Sequence, residues 1–159
     1  IEPVLVRAYE GVGLAPDRAV VLGRLARKRY VDVRYWELFH DTVPALSDLR
    51  DRGWRHVILS NHVPELEAIV AHLGLGGITE ATINSAKTGY EKPHPEAFAH
   101  ARRAVGEVNE LWMVGDNVVA DVAGAEAAGI PAILIDRGNR SDVTAERTVR
   151  SLTEVGDLL

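Results

Sequence analysis

The pattern of hydrophobic positions changes rhythm near residue 36. Before it, Leu5, Tyr9 and Val12 lie on one helical face, "GLAP" breaks the run, and Pro16 opens a second helix through Lys28. Beyond it, short runs that are apolar throughout alternate with amphipathic stretches. "TVPALSDLRDRG" predicts a helix closed by Gly53, and "HVILSN" predicts a strand ending in polar residues. "VPELEAIVAHLGLGG" reads as a helix stopped by glycines and "EATINS" as a strand. "EAFAHARRAVG" reads as a helix beyond the loop "AKTGYEKPHP". "LWMVGD" then reads as strand, "VADVAGAEAAG" as helix, "PAILID" as strand and "SLTEVGDLL" as a short closing helix.

Strands that are apolar along their whole length are expected to be buried on both faces, as in a parallel sheet covered by helices. The alternation predicts an α/β fold with a doubly wound, mostly parallel sheet over residues 36–159, and residues 1–35 form a separate helical lobe. Ligands of such sheets bind beyond the carboxyl ends of the strands. "HVILS" delivers Ser60 and Asn61 to that edge, "LWMVG" delivers Asp116 and Asn117, and the loop 86–95 carries Lys92.

Composition narrows the range of partners. Hydrophobic residues make up 47% and charged residues 26%, which fits an ordinary globular domain. The formal net charge of −5 argues against nucleic acid, whose phosphates call for a basic face. Without cysteine, disulfides, thiolate metal sites and cysteine nucleophiles are excluded. No apolar run has the length of a membrane span and none has the form of a signal peptide, so the cytoplasm is the expected compartment. The basic "RLARKRY" segment reads as a solvated helix face.

A hydroxyl, a lysine and two carboxylates thus fall at one sheet edge. Two carboxylates about 4 Å apart repel by about 4 kcal/mol at an effective dielectric near 20, which calls for a proton or a cation between them. Oxygen donors, with no cysteine and no histidine pair at ligand spacing, favour Mg2+. A magnesium ion, the Lys92 ammonium and the Ser60 hydroxyl together suit a phosphate dianion. Each signal also has a plainer reading. Ser60-Asn61 fits a turn or helix cap, Lys92 an exposed loop lysine, Asp116 a helix cap, and Asp121 a first-turn acid favoured by the helix dipole. His62 and His94 fall at no metal-ligand spacing and are expected at the surface or behind the site.

Taken in order, "VILSN", "GYEKPHPEAF" and "VGDNVVAD" resemble the second, third and fourth motifs of the haloacid dehalogenase-like (HAD) hydrolase superfamily. The match is to the subfamily whose helical cap lies between the first and second motifs. The resemblance covers roughly residues 36–159 and makes 1–35 the tail of that cap. It implies that Ser60 binds the phosphoryl group with Asn61 beside it, that Lys92 is the stabilising lysine, and that Asp116 ligates Mg2+ with Asp121 in support. It also implies a Mg2+-dependent phosphatase acting on a small phosphorylated metabolite through an aspartyl-phosphate, and it leaves oligomeric state open.

The family's first motif, an aspartate pair at the end of an apolar strand, has no counterpart here. Asp32 in "YVDVRYW" has no acid two positions on, Asp48 and Asp51 fall in a predicted helix, and Asp136 in "AILIDRG" is misplaced. In the family that strand lies between those reading here as "VILS" and "WMVG". Strands pair at about 4.8 Å, so these two are expected to stand too far apart to hydrogen-bond. The expectation is therefore a fragment lacking the nucleophile, or a chain that re-pairs its strands or borrows one from a partner. One alternative is a 2-haloacid dehalogenase-type hydrolase, whose fourth motif usually has serine and asparagine in place of Gly115-Asp116. The other is a non-catalytic α/β binding module.

Overall fold

The computed structural model describes residues 1–138 and 145–159. Helices α1 (Glu2–Gly11) and α2 (Pro16–Val31) both carry proline in the first turn, where its missing N–H costs no helical bond. They pack closely at Gly23, where a Cβ would come within 2.6 Å of Val6 Cγ2. A 3-10 turn at Val33–Tyr35 follows, and the Asp32 side chain accepts the Arg34 N–H at its start.

The α/β core runs α3 (Thr42–Asp51), β1 (Val57–Ser60), α4 (Leu66–His72), β2 (Ala81–Asn84), α5 (Ser85–Thr88) and α6 (Pro95–Val105). It continues through β3 (Met113–Gly115), a π-helical turn (Val118–Ala123), α7 (Gly124–Ala127), β4 (Ala132–Ile135), β5 (Thr148–Val149) and a closing 3-10 segment (Leu152–Asp157). Every strand pair is parallel, with Val57 opposite Ala81, Met113 opposite Ala132, and Leu134 opposite Thr148. The sheet falls into two pieces, β1–β2 and β3–β4–β5. Among the described residues no ladder joins β1 to β3.

Strand β4 is buried along its whole length, and its side chains alternate between two cores. Ala132 and Leu134 face Phe98, Val122 and Ala125, while Ile133 and Ile135 face Leu49, Val149 and Val155. Likewise Ile58 of β1 joins the cluster around Leu66 and Val70, and its neighbour Leu59 packs toward Phe98. Helices therefore cover both sheet faces, as the unbroken apolar runs required. Burying a side chain such as Phe98 stabilises the fold by roughly 1.5–3 kcal/mol.

One polar knot lies within this apolar frame. Asp41 is 3% exposed and accepts hydrogen bonds from both Arg137 Nη atoms (2.8 and 3.0 Å), from Ser151 Oγ (2.8 Å) and from the Leu152 N–H (2.9 Å). The Arg137 guanidinium, helped by the Ser151 hydroxyl and the Leu152 amide, holds its carboxyl well below the usual carboxylate range. The knot ties the entry of α3 to the end of the chain. Among the described residues no helix is long and apolar enough to cross a membrane.

Candidate active site

The carboxyl ends of β1 and β3 form the floor of the candidate site. Ser60 ends β1 opposite Asn84 of β2, half-buried, and its hydroxyl has no hydrogen-bond partner among the described residues. That leaves a donor ready for a ligand oxygen. Asn61, the next residue, turns its side chain onto the backbone of the following loop. Its Nδ2 donates to the Lys92 carbonyl at 2.8 Å, and its Oδ1 accepts the Lys92 N–H at 2.7 Å. The bidentate contact fixes the Lys92 peptide to the end of β1.

The Lys92 side chain reaches from that loop toward the break in the sheet. Its ammonium donates to the Leu59 carbonyl of β1 at 2.7 Å and pairs with Asp121 Oδ1 at 2.7 Å. The two side chains are only 10% and 6% exposed, so the charges are largely out of water. Such a pair holds only if its remaining hydrogen-bonding capacity is satisfied. The second oxygen of Asp121 accepts the Asn117 N–H at 3.0 Å. Asn117 in turn caps the π-helical turn, its Oδ1 accepting the N–H groups of Val119 and Ala120.

Gly115 explains how Asp121 fits so close to β3. A Cβ at that position would overlap the Asp121 carboxylate, so only glycine leaves room. Asp116, next in sequence, is exposed at the carboxyl end of β3. The structure thus joins Asn61, Lys92 and Asp121 by direct contacts. Ser60 and Asp116 flank that set, each one residue from an atom that belongs to it. Magnesium takes few carboxylates and completes its shell with water and phosphate oxygens. Asp116, exposed at the carboxyl end of β3, has the oxygen donor type such an ion takes, and Asp121 contacts Lys92 and the Asn117 N–H. Among the described residues no group of three or more acidic, histidine or cysteine side chains forms a ready metal cluster.

Several neighbours carry no clear mark in the sequence. His62 stacks on Tyr30 of α2 (ring centroids 5.4 Å) and meets the edge of Trp36 (5.2 Å). The Tyr30 hydroxyl lies 3.2 Å from His62 Nε2, the Trp36 indole N–H donates to the Tyr30 carbonyl, and Arg27 pairs with Glu65 at 2.6 Å. Burial pushes the His62 imidazole below its ordinary value, and Nδ1 has no partner. His94 accepts the Glu96 N–H as the cap of α6. A cavity of about 740 Å³ opens between helices α1 and α2 and the loops that follow β1 and β2, with Asn61 in its wall.

Comparisons with known proteins give the family. The family description "haloacid dehalogenase-like hydrolase" matches residues 5–129. The phosphoserine phosphatase of Thermus thermophilus is 37% identical over 99% of this chain and 61% of its own length. The ribulose-1,5-bisphosphate 5-phosphatase of Halopiger xanaduensis is 32% identical over 87% of this chain and 58% of its own. The chain therefore spans about three-fifths of the length of these relatives. The crystal structure of a HAD phosphatase from Thermococcus onnurineus superposes with a TM-score of 0.75 at 23% identity, covering 99% of this chain and 87% of that one. At that identity the likeness speaks for the fold. With the family match spanning most of the chain and a buried lysine–aspartate pair at the break in a parallel sheet, the chain belongs to the haloacid dehalogenase-like hydrolases.

Proposed function

We propose that this chain is the larger part of a Mg2+-dependent phosphomonoesterase that acts on a small phosphorylated metabolite. The observation that carries the proposal is the Lys92 ammonium, held at the sheet break between the Leu59 carbonyl and Asp121. A positive charge fixed there meets the phosphoryl oxygens and an attacking carboxylate at once. Residues 1–35 form the end of a cap lobe, residues 36–159 the core, and the attacking aspartate belongs to a strand outside this chain that fits between β1 and β3. Its carboxylate attacks phosphorus, the ester P–O bond breaks, and the alcohol leaves with a proton from a neighbouring acid. Water then cleaves the resulting aspartyl-phosphate to free phosphate and regenerate the carboxylate.

Each residue of the chain has a defined task in that scheme. Ser60 donates its free hydroxyl to a phosphoryl oxygen, and Lys92 neutralises the equatorial oxygens as charge accumulates. Asn61 holds the Lys92 peptide in place. Asp116 would hold the magnesium ion, which when bound shields the anions from one another. Asp121 acts through Lys92 and the Asn117 N–H. The names of the related phosphatases support a phosphate ester over a haloacid.

The test is phosphate release from an aryl phosphate by the full-length protein, with and without Mg2+. Release should need the metal and should fall steeply in Asp116→Asn and Lys92→Met. Metal-independent halide release from a 2-haloacid would overturn the reading.

A further inference from the structure

The cavity beside the site has a charge pattern of its own. Asn61, whose side chain grips the Lys92 peptide, also forms part of the cavity wall, which puts the cavity beside the end of β1 where Ser60 stands. Val4 provides an apolar wall, Tyr30 and Tyr90 contribute aromatic rings, and His62, His94 and Glu91 complete the polar lining. No lysine or arginine side chain lines it among the described residues, and Glu91 is its one carboxylate. Nearby acids are already paired, Glu65 with Arg27 and Glu67 with Lys87. The Glu91 carboxylate, by contrast, has no hydrogen bond or ion pair among the described residues. Burial holds His62 toward its neutral form, so it does not offset that charge.

An uncommitted carboxylate next to a phosphate-binding lysine has a cost, because it repels the dianion that the site must attract. It is useful when the ligand carries a cation at the other end. Aromatic faces add attraction for an alkylammonium, and repel a second carboxylate. On the phosphatase reading, we propose that this cavity selects phosphomonoesters whose alcohol carries an ammonium group, with Glu91 as its counter-ion and the Tyr30 and Tyr90 rings beside it.

The experiment compares kcat/KM of the full-length protein for ethanolamine phosphate, glycerol phosphate and phosphoglycolate. Charge-assisted contacts of this kind should favour the ammonium ester about tenfold or more over the neutral one, and phosphoglycolate should rank last. Glu91→Gln should bring the ammonium-to-neutral ratio close to one, and Glu91→Asp should keep part of it. Equal rates for the three esters in the wild type, or an unchanged ratio in Glu91→Gln, would overturn the proposal. Calorimetric binding of ethanolamine phosphate and glycerol phosphate to the same proteins reads the preference without turnover. A Glu91-dependent binding preference in a protein that hydrolyses no ester, aryl phosphate included, would sink the phosphatase reading and uphold this one. Normal aryl phosphatase activity with no ammonium preference would do the reverse.

Discussion

Replacing Lys92 by methionine removes one buried charge and abandons another. The Lys92 ammonium pairs with Asp121 at 2.7 Å and donates to the Leu59 carbonyl at the same distance. At that separation the Coulomb attraction is about 6 kcal/mol for an effective dielectric near 20, before the cost of desolvating both ions. Breaking such a pair from one side costs roughly 3–5 kcal/mol, because the remaining carboxylate stays buried without its counter-ion. The orphaned Leu59 carbonyl adds about 1 kcal/mol. Against a total of about 5–15 kcal/mol for a domain, that is a large share. Removing both charges, in Lys92→Met/Asp121→Leu, should recover part of the loss, with a coupling on the order of 2 kcal/mol. Urea unfolding at neutral pH, followed by circular dichroism for wild type, both single variants and the double variant of the full-length protein, measures all four corners. A loss under about 1 kcal/mol for Lys92→Met, or strict additivity of the two changes, would refute the reasoning.

Three further outcomes rest on Gly115, on the Asp41 knot and on Asn61. Gly115→Ala pushes the Asp121 carboxylate off its partners and should cost about 1–3 kcal/mol, read as a thermal midpoint lower by several degrees. Asp41 has a depressed folded-state pKa, so its stabilising contribution is fully present above the unfolded carboxylate value of about 3.9 and is lost as pH falls through the folded value. Asp41→Asn should therefore weaken the protein at neutral pH and flatten the acid limb of its stability profile, as urea titrations between neutral and acid pH would record. Asn61→Ala frees the Lys92 peptide and should lower kcat by about 10–100-fold with the fold intact, and Asn61→Asp, which sets an oxygen against the Lys92 carbonyl and a negative charge beside the phosphoryl site, should lose at least as much.

Where burial has a simple period, the sequence is readable. "VILS", "ATIN" and "AILI" are strands because short apolar runs bounded by turn residues have few other folded uses, and the helices between them carry one apolar face. The break between β1 and β3 is the arrangement that counting strands against the family pattern predicts, and a strand that fills it belongs to the proposed function. Other elements depend on partners that no local pattern reveals. Thr148–Val149 is too short and too surrounded by charge to read as a strand, and it becomes β5 only because β4 offers a ladder. The start of the predicted helix at Val119 is π-helical, and hydrophobic spacing does not separate that from an α-turn.

The site shows the same division. Motif order singles out Lys92, Ser60 and Asp116, and the structure gathers their loops at one edge. That Asn61 grips the Lys92 backbone was not legible, since an asparagine after a strand looks alike whether it faces a ligand or a neighbouring peptide. Nor was the role of Asn117, which caps the turn in place of Asp116. Asp41 stands at the N-cap of α3, yet its side chain makes no bond to that helix and turns to Arg137, Ser151 and the Leu152 N–H. Its partners lie about a hundred residues downstream, beyond the reach of any local signal.

The Asp41 knot also makes the closing residues a keystone rather than a detachable tail. A protease nick or an inserted loop between Arg150 and Leu152 would loosen the Ser151 hydroxyl and the Leu152 amide together, leaving the buried Asp41 carboxylate to Arg137 alone. Damage around Ser151 should therefore be felt first at the doorway of α3.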